Sequence, residues 1–381
     1  MKGKYDKGYL VQLQSRYTKA RKPERIIILD EFTKTTGHER QYAGKLLRKK
    51  YQYVTKPIKR PRRKIYTVVD AIILAKVCTL LDWLASKRVK PAIGVAIDSL
   101  VEAGELVCSH ELRAKLVKIS PATIDRLLKE YKKRPVGRGR SYTKPGTLLK
   151  TQIPVRTFAD WNENKVGFFE IDLCGHEGGN ASGDFAFTLN FADVKTQWTE
   201  QVAVKNKAQI HVFEGIKTIR GRLPFPLLGI DSDSGSEFIN NQLYRYSIQE
   251  KITFTRGRAG KKNDNAFVEE KNDSVVRRWV GYGRYDTQEQ VDILNELYEV
   301  LRLYTNFFLP VQKLKEKVRI GSKMKKIHDT ATTPYKRILR AKDVSKEVKD
   351  RLRVQYRALN LVLLKRQIDA ILKRLKPTKV R

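Results

Sequence analysis

The chain has 381 residues, 41% of them hydrophobic, with 78 Lys and Arg against 41 Asp and Glu, a formal charge of +37. That length allows two or three domains, each with its own core, and the apolar share argues against disorder. So large a cationic excess favours a polyanionic partner, nucleic acid first, over a merely solvated basic surface or a membrane-surface protein.

The charge is segregated. Residues 1–150 hold 36 basic against 13 acidic side chains and residues 301–381 hold 24 against 6, while the middle, 151–300, holds 18 against 22. A protein that only coats DNA has no reason to spare its centre; an enzyme that gathers carboxylates around cations has one. Cys78, Cys108 and Cys174 form no CxxC pair and the five histidines are scattered, which excludes a disulfide framework and a Cys- or His-rich zinc domain. No apolar run approaches the roughly 20 residues of a membrane span. The opening MKGKYDKGYL lacks the apolar core of a signal peptide, so the expected setting is the reducing, DNA-containing cytoplasm of a bacterium.

In chain order, residues 1–56 read as helical. Ile26, Ile27, Leu29 and Phe32 mark one inner stripe, TTGHER breaks it, and Tyr42, Ala43, Leu46 and Leu47 mark a second helix, the outline of a helix-turn-helix. Lys45, Arg48, Lys49 and Lys50 follow that stripe, in reach of phosphates. After the basic, Pro-broken KPIKRPRRK (56–64), a second helical block covers 65–133, apolar from Ala71 to Leu84. Its last segment, ISPATIDRLLKEYKK, has Ser120 to cap, Pro121 at the first helical position, and Ile124, Leu127 and Leu128 on one face. Arg126 and Lys129 point elsewhere, as on a recognition helix; a plain surface helix is the competing reading. The stretch 134–150, with Arg138 and Arg140 among Gly and Pro, reads as a basic linker laid along a DNA backbone.

From 151 to 300 the texture changes. GFFEIDL, DFAFTLNFADV and QWTEQVAVK suggest a three-stranded antiparallel meander. A helix over about 206–220, a strand PLLGID, a helix from about 236, a strand ITFT and a helix from about 266 follow, which is the element order of a ribonuclease-H-like α/β fold. Beyond 286 the pattern is helical, and 301–381 forms a basic, mostly helical C-terminal region. It ends in a helix on Leu361, Leu364, Ile368, Ile371 and Leu375.

In the first strand Phe169, Ile171 and Leu173 share one face, leaving Glu170 and Asp172 on the other. A carboxylate inside an apolar strand is costly unless it binds something, so Asp172 is a candidate metal ligand; an Asp accepting backbone hydrogen bonds is the alternative. In GIDSDSGSEF, Asp233 lies beyond the apolar run at a Gly turn, with Asp231 as competitor. In KKNDNAFVEEKNDSVVRRWVG, Asn265 can cap a helix whose first turn aims Glu269 at the sheet and Glu270 at solvent. Lys261, Lys262, Arg277 and Arg278 surround it with phosphate-binding charge. Hard oxygen ligands of this kind suit Mg²⁺ or Mn²⁺. Metal-free acid/base catalysis by two carboxylates, as in glycosidases, fits the charge badly.

These residues resemble the Asp, Asp, Glu triad of retroviral integrases and bacterial insertion-sequence transposases. In that family the second Asp precedes a Gly by two and an aromatic by five, as Asp233 does Gly235 and Phe238, which selects it over Asp231. The Glu stands three residues before an Asn, as Glu269 does Asn272, and 35 residues separate Asp233 from Glu269. FTRGR, KKNDNAFVEEKN, VGYGRY and TPYKRIL extend the likeness to a transposase group with helix-turn-helix modules ahead of the catalytic domain. Ser234 departs from the Asn usual after the catalytic Asp.

The resemblance implies 3′-end cleavage at transposon ends and strand transfer into target DNA. It implies two Mg²⁺ ions (Mn²⁺ substituting) on Asp172, Asp233 and Glu269. It further implies DNA held by Arg258, Lys261, Lys262, Asn272 and Arg277, and a homo-oligomer assembled on double-stranded DNA. The alternatives are a silent DNA-binding regulator and a ribonuclease-H-like nuclease without strand transfer. His176, just after Asp172, is a weak candidate for substrate contact, and a structural His is the stronger reading.

Overall fold

A computed structural model describes residues 7–48, 65–131, 153, 165–233, 235–257 and 266–379. The chain falls into two compact units, Met1–Ile65 and Tyr66–Arg381.

In the first unit, helices α1 (Lys7–Lys19), α2 (Lys22–Thr36) and α3 (Arg40–Arg48) pack around Leu10, Leu13, Ile28, Phe32, Ala43 and Leu47. Gly37 ends α2 at φ 66, the left-handed C-cap, and donates its N–H to Thr33 O. The inner stripe differs from expectation, since Ile26 and Ile27 are 49% and 66% exposed and Tyr42 is 51% exposed. Three successive isoleucines cannot share one helix face. Phe32, the largest of the group, sets the phase, and Ile28, Phe32 and Thr36 at four-residue spacing turn inward.

The second unit opens with α4 (Val68–Leu80), α5 (Ser86–Val89), α6 (Ile93–Glu102), α7 (His110–Val117) and α8 (Pro121–Leu127). Ser120 caps α8 by accepting the Thr123 N–H at 3.2 Å, with Ile124 and Leu128 inward. These helices share a core with the sheet that follows. Tyr304 Oη donates to Leu80 O at 2.8 Å, and Arg88 Nε to Pro310 O at 2.6 Å.

The sheet comprises β1 (Phe168–Gly175), β2 (Phe187–Asp193), β3 (Thr199–Val204), β4 (Gly229–Ser232) and β5 (Thr253–Arg256), in the order β3-β2-β1-β4-β5. β1, β2 and β3 pair antiparallel, while β4 and β5 run parallel to β1. Helix α9 (Gln209–Arg222) joins β3 to β4 and α10 (Asn241–Gln249) joins β4 to β5. The result is a mixed five-stranded sheet of ribonuclease-H-like order. The expected helix starts at 206 and 236 move to Gln209 and Asn241, the latter because Asn240 is the residue that caps, accepting the Leu243 N–H at 2.9 Å. On one face Gly215 of α9 lies against Leu189, Val202 and Val204, too close to admit a side chain without a shift. On the other face lies α11 (Ala266–Lys271), which continues as a π-helical turn, Asn272–Arg277, and one further turn, α12 (Arg278–Val280).

An open edge strand exposes alternate N–H and C=O groups, and β3 is such an edge. Helix α13 (Gln288–Phe308) covers it with side chains. Asn306 Oδ1 accepts the Thr199 N–H at 2.9 Å while its Nδ2 donates to Thr199 O at 2.8 Å. Asn295, eleven residues earlier and therefore on the same face of the helix, does the same for Ala203. Between them Arg222 donates to Gln201 O at 2.8 Å.

Beyond α13 the C-terminal region is mostly helical but also holds two strands outside the expectation. Strands β6 (Leu314–Ile320) and β7 (Lys323–His328) form an antiparallel hairpin before α14 (Pro334–Arg340), α15 (Lys346–Ala358) and α16 (Leu361–Arg374). Helix α16 buries Leu361, Leu364, Ile368 and Ile371, as its spacing foretold. Among the described residues no helix is long and apolar enough to cross a membrane.

Asn306 is fully buried, so Asn306→Leu strands two backbone groups of β3 without a partner. Each costs about 1–3 kcal/mol. Urea unfolding should show that loss, and a variant as stable as wild type would mean that the edge does not need its asparagines.

Candidate active site

The register between β1 and β4 pairs Glu170 with Asp231 and Ile171 with Ser232. The next residues, Asp172 and Asp233, therefore lie side by side where the β1–β4 pairing stops, Asp172 still within β1 and Asp233 just past the end of β4. Both line a cleft of about 570 Å³, with Glu237, Asn272 and Arg277 on its wall. Asp231 stays inside the ladder, fully buried and hydrogen-bonded by Thr255 Oγ1. Asp233 turns back to accept the Gly235 N–H at 3.0 Å.

Asp172 is held from two sides. Its Oδ1 accepts the Leu173 N–H at 2.8 Å, and its Oδ2 accepts Asn272 Nδ2 at 2.6 Å. Asn272 is fixed in turn, since its Oδ1 accepts Asn190 Nδ2 at 3.0 Å, and Asn190 Oδ1 accepts Gln201 Nε2 at 2.9 Å. Asn190 faces Asp172 across the β1–β2 ladder. Asn272 opens the π-helical turn, an irregularity that recurs at functional sites.

Glu170 supplies a contact that sequence reasoning missed. It is fully buried, and its Oε2 accepts the N–H groups of Phe267 at 2.7 Å and Val268 at 2.9 Å. It thus fastens the first turn of α11, the helix that carries Glu269 and leads into Asn272, onto β1. The signal was the pairing of Glu170 with Asp172 on one strand face, where only Asp172 was assigned a task.

The opposite wall of the cleft is set by Arg284, which donates to the carbonyls of Asn180, Ser182 and Asp184 at 2.7–3.1 Å and to Asp286 at 2.7 Å. Gly178 in the same loop has φ 64, and a Cβ there would lie 2.6 Å from Arg284 Cβ, so only glycine lets the loop close on this arginine.

No protein-family model matches the chain. The uncharacterized protein y4rM of Sinorhizobium fredii is 38% identical over 324 residues, covering 84% of this chain and 91% of y4rM. The chain belongs to the y4rM family. Among solved structures it is similar to the HTLV-2 integrase catalytic core domain in complex with magnesium, at 11% identity and TM-score 0.30 over 39% of this chain and 91% of that one. It is also similar to the catalytic core domain of BIV integrase, at 15% and 0.30 over 45% and 91%. A third is the simian T-cell lymphotropic virus intasome in complex with PP2A regulatory subunit B56 gamma, at 12% and 0.31 over 56% and 69%. Likeness at that level carries no argument; the fold rests on strand order and direction.

In this member of the y4rM family, Asp172 and Asp233 are brought together, whereas Glu269 lies exposed on the first turn of α11. Among the described residues no three acidic, imidazole or thiol side chains close into a ready-made metal cage. Burial, then the neighbouring charge of Asp233, pushes the Asp172 carboxyl up to about 8, with Glu269 adding to the effect. Burial raises Asp233 as well. Two buried acids repelling in this cleft, with only amides hydrogen-bonded to Asp172, are a donor set that suits a hard divalent cation.

Arg277 lines the cleft, stacks over the Tyr282 ring at 4.8 Å, and donates to Gly175 O at 2.6 Å. Lys45 and Arg48 are exposed on α3; Arg126 is exposed on α8 and Lys129 just beyond its end. Lys49, Arg138, Arg140, Arg258, Lys261 and Lys262 lie outside the described residues, as do Lys50, Ser234 and Asn265. His176 is fully buried, bonded through Nε2 to Thr188 Oγ1 at 2.7 Å, and burial lowers it to about 3, so it is a neutral core residue out of substrate's reach.

Two outcomes follow. Glu170→Leu should speed amide exchange at Phe267 and Val268 by about 10–100-fold, the loss of about 1–3 kcal/mol. Glu170→Gln, whose side-chain oxygen accepts the same bonds, should keep them protected; equal exchange in all three proteins would mean the cap contributes nothing. For Asp172, a folded value above the ordinary 3.8 means that the fold loses stability as pH rises from about 4 to about 8. In chelator, Asp172→Asn should therefore melt a few degrees above wild type at pH 8 and nearly with it at pH 4. A gap that does not widen with pH would refute the repulsion.

Proposed function

We propose that the chain is a DNA transposase that frees a 3′-OH at a transposon end and joins it to target DNA. The observation that carries this reading is that Asp172 on β1 and Asp233 just past the end of the adjacent parallel strand β4 lie side by side on one cleft, beneath the helix bearing Glu269. The motif spacing supports it, since Gly235, Phe238 and Asn272 stand where the Asp, Asp, Glu family has them.

Asp172 and Asp233 would hold two Mg²⁺ or Mn²⁺ ions, and Glu269, on a helix already fastened by Glu170, would complete the ligand set. Such a pair of ions activates an attacking oxygen and stabilises a leaving one in phosphoryl transfer. Asn272 keeps the Asp172 carboxylate pointed into the cleft. The substrate is double-stranded DNA, drawn by the basic flanks on either side of the acidic centre.

Helices α3 and α8 belong, in this reading, to two helix-turn-helix modules. Lys45, Arg48 and Lys49 serve the first, and Arg126 and Lys129 the second. Arg138 and Arg140 follow the backbone between modules, and Arg258, Lys261, Lys262 and Arg277 hold DNA beside the carboxylates. Joining two ends in one event calls for a homo-oligomer on DNA.

The test is cleavage of DNA carrying the gene's own flanking repeats, with Mg²⁺ or Mn²⁺, by wild type and Glu269→Gln. The expected result is metal-dependent 3′ nicking at the repeat ends, reduced at least about 100-fold in the variant while binding survives. Binding by both proteins with cleavage by neither, given both metals, would replace the transposase with a DNA-binding scaffold.

A further inference from the structure

Among the described residues the hairpin β6–β7 packs its two strands on each other and makes at most marginal contact with any other element of the second unit. Its twelve-odd ladder positions are exposed almost without exception, Val318 and Leu314 alone being half-buried. An isolated two-stranded hairpin is marginal in water, so a ribbon of this kind usually meets a partner on at least one face.

Its charge says which partner. Between Leu314 and His328 the sequence holds six Lys and Arg and a single Glu. Register sorts them onto faces. Lys317 lies opposite Lys326, and Arg319 opposite Met324, so one face carries three cations, no acid and one apolar side chain. The other carries Val318, Ile320 and Ile327 with Lys323, Lys325 and Glu316. So cationic a surface attracts a polyanion and repels a second copy of the same ribbon. The major groove of B-DNA, about 12 Å wide, admits a two-stranded β-ribbon.

The geometry points to β6–β7 as a sequence-independent grip on duplex DNA, its Lys317–Arg319–Lys326 face turned to the phosphates and Lys323 and Lys325 adding charge on the opposite face. The assignment deepens the DNA-directed reading above. It adds a contact surface remote in sequence from both helical modules, on residues to which no DNA contact had been assigned.

The experiment measures affinity for a random-sequence duplex at several salt concentrations, in chelator, so that cleavage plays no part. It compares the wild-type chain with Arg319→Gln/Lys323→Gln/Lys325→Gln/Lys326→Gln. A control, Lys346→Gln/Arg351→Gln/Arg353→Gln/Arg357→Gln, removes the same charge from exposed positions of α15. All eight side chains are on the surface, so circular dichroism and melting should be unchanged. The ribbon variant should lose about tenfold or more in affinity at physiological salt, whatever the duplex sequence. Its salt slope should fall by about 0.9 for each phosphate contact removed, and the control should lose much less.

Equal losses in the two variants would reduce the effect to net charge and overturn the ribbon's role. So would an unchanged slope, or a change in oligomeric mass with DNA affinity intact, which would give the surface to a second copy. A wild-type chain that binds no duplex overturns both this assignment and the transposase. A wild-type chain that binds duplex through the ribbon but never nicks the flanking repeats leaves the ribbon standing and removes the transposase alone.

Discussion

The first turn of α11 is tied to the central strand by a buried carboxylate, and the candidate site depends on that tie. Glu170 Oε2 takes two backbone N–H groups that a helix start otherwise leaves open. Because Glu170 and Asp172 share a strand face, the helix sits over Asp172 at a fixed height. The π-helical turn that follows then sets Asn272 onto Asp172 Oδ2 and against Asn190. Remove the tie and Glu269, Asn272 and Arg277 lose their common reference. A carboxylic group with burial holding it well above its ordinary range is suited to such a place, since it need not carry a full charge into the core.

Around that tie the carboxylates are arranged against electrostatic preference. Glu170 pairs with Asp231 across the adjacent parallel strands β1 and β4, and Asp172 and Asp233 each follow two residues later. Hydrogen bonds from Thr255, Asn272 and backbone amides quiet some of this charge, yet Asp172 is still pushed up. Crowded carboxylates with raised pKa values mark a candidate functional site, and the proposed cations would relieve their repulsion. That crowding also gives the slightly acidic centre of the sequence a physical purpose between two basic flanks.

The two exposed strand systems of the second unit are treated in opposite ways. The edge strand β3 is sealed, residue by alternate residue, by Asn306, Arg222 and Asn295. The ribbon β6–β7 is left open on both faces and loaded with lysine. A sealed edge cannot recruit another strand, whereas an open cationic ribbon repels its own kind and attracts polyanions.

Much of this was legible in the sequence because it is local. Alternation gave the meander, Ser120 and Pro121 gave the start of α8, and the spacing of Leu361, Leu364, Ile368 and Ile371 gave α16. The place of Asp233 past the apolar run favoured it over Asp231 and the family resemblance selected it, while the structure shows Asp231 inside the ladder, paired with Glu170. What the sequence could not decide was phase and partnership. Ile26, Ile27 and Ile28 are equally apolar, and only the packing of Phe32 chooses which one turns inward. Glu170 reads as one more strand carboxylate until α11 arrives over it, nearly a hundred residues later in the chain. The ribbon was hidden for the reverse reason: its lysines blur the alternation that marks a strand, and cross-strand pairing, which no single segment encodes, makes it one. Composition and short-range period thus determined the elements and the chemistry they carry, while the tertiary structure alone decided which carboxylate anchors, which faces the cleft, and which surface is left for a partner.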